Sequence, residues 1–228
     1  MPNTVGKPYS VLDVFKALTE EEQQLVKDNQ VHLTYRKGEI VYKEGSKILG
    51  IYQVTKGKFK IYKTGVDQKP QIIAFTVPGD IQGYRSVLSN EPACTTVEAL
   101  EESNVSFIPS EIIFHLVKHN PDFALLLIQQ TCKELDRANS LITDIAQKTV
   151  KERVAEILLM LHNTFGTNKE GFININLTRD DISNIIGTAT ESVIRILRDF
   201  NSKNYITLEN RKIKINDYKR IKLISESI

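Results

Sequence analysis

The sequence predicts an α+β protein with three parts: an antiparallel β-sandwich or barrel, a long central helix, and two short helices followed by a β-hairpin. Three observations support this fold class. Short stretches of alternating apolar and polar residues, separated by glycines, fill residues 37–109. An apolar residue then recurs every seven positions after Pro121, and two short helical patterns are joined by a single glycine, Gly187.

The composition is that of a globular protein with one large domain or two modest ones. Because the chain has 228 residues, 41% hydrophobic and 25% charged, it can bury a core and is not biased toward disorder. No apolar run approaches the roughly 18–20 residues of a membrane span, and the N-terminal residues lack a secretion-signal pattern. We therefore expect a cytoplasmic protein with no membrane partner, whose cysteines, Cys94 and Cys132, are reduced and mostly buried.

Positive charge is concentrated in the C-terminal third of the chain. From Gln147 onward there are 14 Lys and Arg against 10 Asp and Glu, whereas the whole chain has 30 against 28. A basic third on a near-neutral body weakly indicates a polyanionic partner.

The N-terminal part begins with a short helix predicted over residues 19–29. Four stretches with strand-like alternation follow, and their glycines are spaced as in turns. The stretches are GEIVYKEG, IYQVTKGKFKIYKTG, QIIAFTVPGD and TTVEALEESNVSFIPS.

The central helix is predicted from Pro121, a residue suited to a first helical turn. Ile128, Leu135 and Ile142 lie seven residues apart, and Ala124, Thr131, Ala138 and Ile145 are interleaved with them. Three heptads are near the minimum for a coiled coil, so an ordinary helix packed on its own domain remains an alternative. The apolar stripe is interrupted at residues 147–149, where we expect a hinge between this helix and the next.

The C-terminal part is predicted as a helix, a short strand at FINI, two short helices and the hairpin YITLENRKIKI. Thr178 can cap the first short helix, residues 179–186, and Gly187 can end it in the left-handed conformation. We expect Thr188 to start the second short helix and Glu191 to complete its capping box.

The second short helix has one apolar and one polar face. Val193, Ile196 and Leu197 form the predicted buried face, which leaves a free face that contains Ala189, Thr190, Glu191, Ile194, Arg195 and Arg198. Two short helices joined by a glycine turn are typical of a helix-turn-helix, whose second helix fits the major groove, about 12 Å wide. A plain helical hairpin in a core is the alternative. The polar free face and the basic hairpin, with Arg211, Lys212 and Lys214, favour DNA.

The stretch LTRDDISNIIGTATESVIRIL resembles the helix-turn-helix of the Crp/Fnr family of bacterial transcription regulators, and the resemblance extends over nearly the whole chain. It implies a cyclic-nucleotide-binding-like β-roll with flanking helices over residues 1–120, a central dimerisation helix and hinge over 121–147, and a winged helix-turn-helix over 148–228. It also implies a homodimer, a palindromic site in double-stranded DNA and RNA polymerase as a partner.

The resemblance also implies roles for single residues. Glu191 and Arg195 fall on base-reading positions of the family, and Thr190 replaces a base-reading arginine. Thr178, Arg179 and Ser192 fall on positions that contact phosphates. Glu191 has a second interpretation, in which it only completes a capping box.

The effector pocket departs from the members of the family that bind cyclic AMP. The positions implied for the pocket are Gly83, Tyr84, Arg85, Ala93, Cys94, Ala138 and Asn139. They lack the carboxylate that binds the ribose and the cation that binds the phosphate, although Arg85 can be considered as a replacement for the cation. We therefore expect an effector other than cyclic AMP.

The cysteines and histidines bear on other cofactors and on catalysis. No cysteine precedes Cys94, which argues against the N-terminal iron–sulfur cluster of the oxygen-sensing branch. Haem remains an alternative, with His32, His115, His119 and His162 as candidate ligands, as do another small apolar molecule and no ligand. Cupin-like catalysis needs a cluster of metal ligands, but His32 is the only histidine near the strands. We predict neither a metal site nor an enzyme. The alternatives to a regulator with another effector are a haem-based gas or redox sensor and a ligand-binding module that binds DNA only weakly.

Overall fold

The computed structural model describes residues 13–65 and 68–226 of the chain. These residues form two compact units that divide between Arg137 and Ala138, and each unit is described by itself. The N-terminal segment that we predict not to be a secretion signal lies largely outside the described residues. Within them, no helix combines the length and the apolar character that crossing a membrane requires.

The first unit contains the predicted short strands and several helices that the sequence patterns did not predict. Thr19 caps α1 and forms a capping box with Glu22, as the acidic start of this helix suggests. Strand β1 was missed because most of its residues are exposed and its alternation is weak. The elements after a short 3₁₀ helix, Val14–Ala17, are α1 Glu20–Asn29, β1 Val31–Tyr35, β2 Ile40–Tyr42, β3 Gly50–Lys56, β4 Phe59–Thr64, β5 Pro70–Thr76, β6 Ile81–Gln82, α2 Tyr84–Ser89, β7 Thr96–Ala99, β8 Ser103–Pro109 and α3 Ser110–His119.

The eight strands form two antiparallel sheets that pack into a β-roll. One sheet has the order β1-β8-β3-β6 and the other β2-β7-β4-β5. Val54 and Val105 of the first sheet share a buried cluster with Phe59, Ile61 and Val97 of the second. This cluster fixes the register of the strands, because a slip by one residue would turn each apolar side chain to the other face.

A second apolar cluster joins the β-roll to the helices around it. Ile51 and Ile108 of the sheet contact a group that includes Ile113 of α3 and Phe123 at the start of the next helix, and all four are fully buried. The β-roll and the helices that flank it therefore share one continuous core.

The turn between β3 and β4 requires a glycine for two reasons. Gly57 has a φ of 88°, a conformation that side chains disfavour, and a Cβ atom at this position would overlap Ser103.

The central helix, α4 Pro121–Gln147, has 27 residues and begins at the predicted proline. Phe123, Leu127 and Gln130 of its first turns are buried. The predicted heptad residues, by contrast, are exposed: Ile128 by 59%, Leu135 by 61% and Ile142 by 67%. An ordinary packed helix accounts for the first turns, but it leaves this apolar seam uncovered.

The second unit contains α5 Val150–Phe165, α6 Arg179–Ile186, α7 Thr190–Ser202, β9 Ile206–Glu209, β10 Lys212–Ile215 and α8 Tyr218–Ser225. Its core includes Val154 and Leu158 of α5, Ile182 of α6 and Leu197 of α7, each at most 1% exposed. Helix α8 follows the predicted hairpin and packs on α5.

The structure contradicts the expected strand at FINI and the expected burial of the cysteines. The stretch FINI forms an isolated bridge between Thr167 and Ile173 instead of a strand. The reason is that Ile173 donates its N–H to Ile213 and accepts from Ile175, so the chain turns after one bridge. The thiols of Cys94 and Cys132 are free, as expected, but both residues are exposed. Cys94 lies in a surface turn and Cys132 on the solvent side of α4.

Candidate DNA-binding site

Helix α6 has the predicted bounds and the predicted caps. The hydroxyl oxygen of Thr178 accepts from the N–H of Asp181 at 2.9 Å, and the Asp181 carboxylate accepts from the N–H of Thr178 at 3.0 Å. Gly187 ends the helix with φ 71° and ψ 51°, the left-handed conformation in which glycine is favoured. Sequence and structure therefore agree on how the first helix of the pair begins and ends.

The start of α7 differs from the prediction. Its N-cap is Ala189, which makes no side-chain capping bond, so the predicted capping box of Thr188 and Glu191 is absent. Thr188 stays in the turn because its N–H donates to the carbonyl oxygen of Ser183 at 3.2 Å. The interpretation of Glu191 as a capping residue is therefore wrong.

The residue that follows the N-cap is bonded to the preceding helix. The hydroxyl of Thr190 donates to the carboxylate of Asp180 at 2.8 Å and lies 3.0 Å from the hydroxyl oxygen of Ser183. Ser183 is buried and donates to the backbone oxygen of Asp180 at 2.9 Å. Sequence reasoning missed Asp180 and Ser183, because their bonds to Thr190 cross the turn between two helices and leave no periodic signal.

The two faces of α7 differ as predicted. Val193 and Leu197 are at most 1% exposed, and Ile196 is half-buried. On the opposite face, Glu191, Arg195 and Arg198 are exposed, together with Ala189, while Thr190 and Ile194 are partly exposed. A helix with one face in the core presents the other to a ligand, and this face offers both hydrogen-bond donors and acceptors.

The hairpin β9–β10 contacts α7 through β9, and an arginine of α6 is bonded to its tip. Asn210 occupies the turn of the hairpin with a φ of 53°, and its carbonyl oxygen accepts from Nη2 of Arg179 at 3.0 Å. Burial lowers the pKa of Arg179 from its ordinary value. Arg179 thus couples the helix-turn-helix to the tip of the hairpin.

The three basic residues of the hairpin are placed differently. Arg211 is exposed at the turn. Lys214 donates to the backbone oxygen of Glu170 at 3.1 Å, and Lys212 lies 3.8 Å from the Glu170 carboxylate. The two lysines therefore tie the hairpin to the preceding loop, while Arg211 extends from its tip.

The expected phosphate-contact residues lie near the N-termini of the two short helices. The hydroxyl of Thr178 is used in the α6 cap, where it also donates to Asp181 at 2.7 Å. Ser192 is partly exposed in the first turn of α7. A phosphate would have to compete with the protein bonds of Thr178 and Arg179, whereas Arg211 is exposed.

The expected effector residues are brought together in part. Gly83, with a φ of 84°, precedes α2, and Tyr84 and Ala93 are buried. Arg85 is exposed; it donates to the Cys94 sulfur at 3.2 Å and forms an ion pair with Glu134 of α4 at 3.5 Å. The guanidinium that is the expected replacement for the phosphate-binding cation is therefore engaged by the protein. The two remaining expected residues, Ala138 and Asn139, are exposed on α4.

A titratable group beside this region was not identified from the sequence. Burial raises the pKa of Asp80 from its ordinary value to about 6, although its bond from the N–H of Val77 and the charge of Arg137 oppose the shift. The charge of Glu134 acts in the same direction as burial.

The histidines considered as haem ligands do not converge. His32 is exposed on β1, and its Nδ1 lies 3.0 Å from the hydroxyl oxygen of Ser106. The rings of His115 and His119 stack at the surface of α3. His162 is half-buried against Tyr218. Among the described residues, no group of three or more His, Cys, Asp or Glu side chains is arranged to hold a metal ion.

Comparison with known protein families agrees with both units. The family described as the cyclic nucleotide-binding domain matches residues 32–120, and the Crp-like helix-turn-helix domain matches residues 152–224. Together these two families cover most of the chain, and the second match includes α6, α7 and the β9–β10 hairpin.

Relatives of the whole chain lead to the same family. The chain is 25% identical over 189 residues to a CRP-like cAMP-activated global transcriptional regulator of Mycobacterium tuberculosis, covering 82% of this chain and 84% of the relative. It is 27% identical to the fumarate and nitrate reduction regulatory protein of Vibrio cholerae, covering 79% and 72%. The structure of FixK2 from Bradyrhizobium japonicum superposes with a TM-score of 0.78 at 26% identity, covering 87% and 98%. The chain belongs to the Crp/Fnr family of DNA-binding transcriptional regulators.

Proposed function

We propose that the protein is a homodimer that reads a palindromic DNA site with α7 and responds to an effector other than cyclic AMP. The observation that carries this proposal is the division of α7 into a face packed in the core and an exposed face bearing Glu191, Arg195 and Arg198. As a bacterial regulator of this type it acts in the cytoplasm, with RNA polymerase as its partner at the promoter.

Base reading is assigned to the exposed face of α7. The guanidinium of Arg195 can donate two parallel bonds to O6 and N7 of guanine, and the Glu191 carboxylate can accept from N4 of cytosine. Because the structure leaves Glu191 out of any capping box, its carboxylate is available for this role. Thr190 completes the base-reading set at the N-terminus of the helix.

Phosphate contacts are assigned to Thr178, Arg179 and Ser192. The first two lie at the start of α6, and Ser192 lies in the first turn of α7. Such contacts fix the register of the protein on the duplex without reading its sequence. For Thr178 and Arg179, binding of a phosphate would exchange or share the bonds that they make with Asp181 and Asn210.

Dimerisation is assigned to the exposed seam of α4. Ile128, Leu135 and Ile142 repeat at seven-residue intervals and are each more than half exposed, which is costly for large apolar side chains in water. Pairing two such helices would cover the seam and set two copies of α7 on one palindrome.

The effector is proposed to act through the β-roll, but not as cyclic AMP acts on the relatives that bind it. Tyr84 is buried and carries no carboxylate that could bind a ribose. Arg85 is paired with Glu134, so its guanidinium is not an unpaired cation for a phosphate. A change in the packing of α4 would then reach the DNA-binding unit through the junction of α4 and α5.

Binding to a library of palindromes tests the proposal. We expect one preferred half-site, and a logarithm of affinity that falls linearly with the logarithm of salt concentration. Arg195→Ala should cost about 1–3 kcal/mol and relax the preference at one base pair. Lys118→Ala, which removes an exposed charge from α3, is the control and should leave the preference unchanged. Equal loss on all sequences in Arg195→Ala would make Arg195 a phosphate contact, and no preferred site in the wild type would refute the proposal.

A further inference from the structure

The bond between Thr190 and Asp180 connects the first residue of α7 to the first turn of α6. Thr190 donates its only hydroxyl proton to the carboxylate at 2.8 Å, and the Ser183 hydroxyl, 3.0 Å away, is itself buried. A hydrogen bond to an ionised acceptor is stronger than one between neutral groups, so a DNA base would have to compete with a carboxylate for this hydroxyl.

The hydroxyl proton of Thr190 is therefore already donated within the protein, and its methyl group is the part of this side chain that remains for an apolar contact with a base. The hydroxyl and the methyl group leave a tetrahedral Cβ atom in different directions, so a hydroxyl turned toward α6 points the methyl group elsewhere. Thr190 is partly exposed and lies on the face of α7 that also carries Glu191, Ile194 and Arg195. In the major groove, the 5-methyl group of thymine is the one apolar feature of the base edges, and threonine methyl groups contact it.

We propose that Thr190 selects thymine through contact between the two methyl groups, and that Asp180 is the positioning residue that holds Thr190 in the required rotamer. The inference rests on the proposed function, because it assumes that α7 lies in the major groove. It deepens that function by naming the base at one position of each half-site. It also assigns a role to Asp180, which acts through Thr190 and does not itself contact the base.

Replacing thymine with deoxyuridine tests this, because the exchange removes only the 5-methyl group. We would measure the affinity of the full-length protein for the preferred palindrome with each thymine exchanged in turn. In the wild type we expect the affinity to fall about fourfold when the thymine at one position is exchanged in either half-site. This is the effect of burying one methyl group. Thr190→Ser keeps the hydroxyl and should bind both duplexes equally at that position, whereas Thr190→Val keeps a methyl group and should retain a preference for thymine.

Asp180→Ala tests the positioning role. Without the carboxylate the rotamer of Thr190 is no longer fixed, so the preference for thymine over deoxyuridine should shrink, and the salt dependence should stay as in the wild type. An unchanged preference in Asp180→Ala would refute the role of Asp180. Ile194→Ala is the control for the other apolar side chain on this face, and it should leave the preference at the Thr190 position intact.

Two further outcomes separate this inference from the proposed function. The inference is overturned, and the proposed function stands, if the protein binds a specific sequence but does not distinguish any thymine from deoxyuridine. The same holds if Ile194→Ala abolishes the distinction and Thr190→Ser does not. Absence of any preferred palindrome would overturn both.

Discussion

The ammonium group of Lys148 lies 2.7 Å from a carboxylate oxygen of Glu156 and so joins the residues that follow α4 to the middle of α5. The same nitrogen lies 2.8 Å from Asp144 in the last turns of α4. Burial alone would lower the pKa of Lys148, but the two carboxylates raise it. Burial raises the pKa of Glu156 despite this partner.

Arg153 reinforces the same junction. Its guanidinium donates to the backbone oxygens of Ile145 and Lys148, each at 3.0 Å, and these belong to the carbonyl groups that a helix C-terminus leaves without partners. The residues that we expect to act as a hinge, 147–149, are therefore held by ion pairs and hydrogen bonds, so reorientation there would have to break them.

We expect Lys148→Met to destabilise the protein by about 1–3 kcal/mol, because it leaves two partly buried carboxylates without their cation. The free energy of unfolding in urea at pH 7 measures this. Lys203→Met is the matched control: its ion pair with Asp199 is also 2.7 Å long, but the lysine side chain is 47% exposed against 22% for Lys148. The control should cost less than about 0.5 kcal/mol. Equal losses in the two variants would show that the junction is not held by Lys148.

We expect Leu135→Glu to convert the proposed dimer to a monomer, because it places a charge in the middle of the apolar seam, which pairing would bury. Sedimentation velocity measures the change in mass, and affinity for a palindrome should fall much more than affinity for a single half-site. Gln129→Glu introduces the same charge on another exposed face of α4 and should remain dimeric. A wild-type protein that sediments as a monomer at micromolar concentration would contradict the assignment of the seam.

We expect Arg179→Gln to have two separate effects. Loss of the bond to the carbonyl oxygen of Asn210 should lower the free energy of unfolding by about 1–2 kcal/mol. Loss of a phosphate contact should reduce the slope of the salt dependence by about one. Arg211→Gln, at the exposed tip of the hairpin, should change the stability by less than about 0.5 kcal/mol. If the salt slope of Arg179→Gln matched the wild type, Arg179 would only position the hairpin.

The pKa of Asp80 predicts how the stability of the protein depends on pH. The value rises from 3.8 to about 6 in the folded state, so the folded protein binds more protons than the unfolded chain between these values. The contribution of Asp80 is therefore fully present below about pH 4 and is lost as the pH rises through about 6.

Asp80→Asn should remove this dependence, because the amide oxygen can still accept from Val77 but does not ionise. Between pH 4 and pH 7 the variant should gain about 1–3 kcal/mol of unfolding free energy relative to the wild type. Denaturant unfolding at several pH values measures the difference, and parallel curves for the two proteins would exclude a raised pKa.

The sequence anticipated the elements whose signals are local. The start and end of α6 followed from Thr178 and Gly187, because caps act over three or four residues. The apolar spacing of α7 identified its buried face, and alternation identified the longer strands of the β-roll. The same residue patterns were sufficient to recognise the Crp/Fnr family before any comparison.

What the sequence missed at α7 and at β1 has two causes. The cap of α7 was predicted at Thr188, but the bonds of Thr188 to Ser183 and of Thr190 to Asp180 move the start of the helix. Strand β1 carries little periodicity because most of its residues are exposed and those of its inner face are only partly buried. Contacts with a neighbouring element thus outweighed the local preference at α7, whereas exposure removed the local signal at β1.

The sequence by itself determined the family, the order of the three main parts and the exposed face of α7, since these depend on periodicity and on caps within one turn of helix. Only the tertiary structure decided which side chains are already engaged: Thr190 by Asp180, Arg179 by Asn210, and Lys148 by Glu156. The physical reason is that each of these bonds joins residues from different elements, whose distance is set by the packing of the cores and not by their separation along the chain.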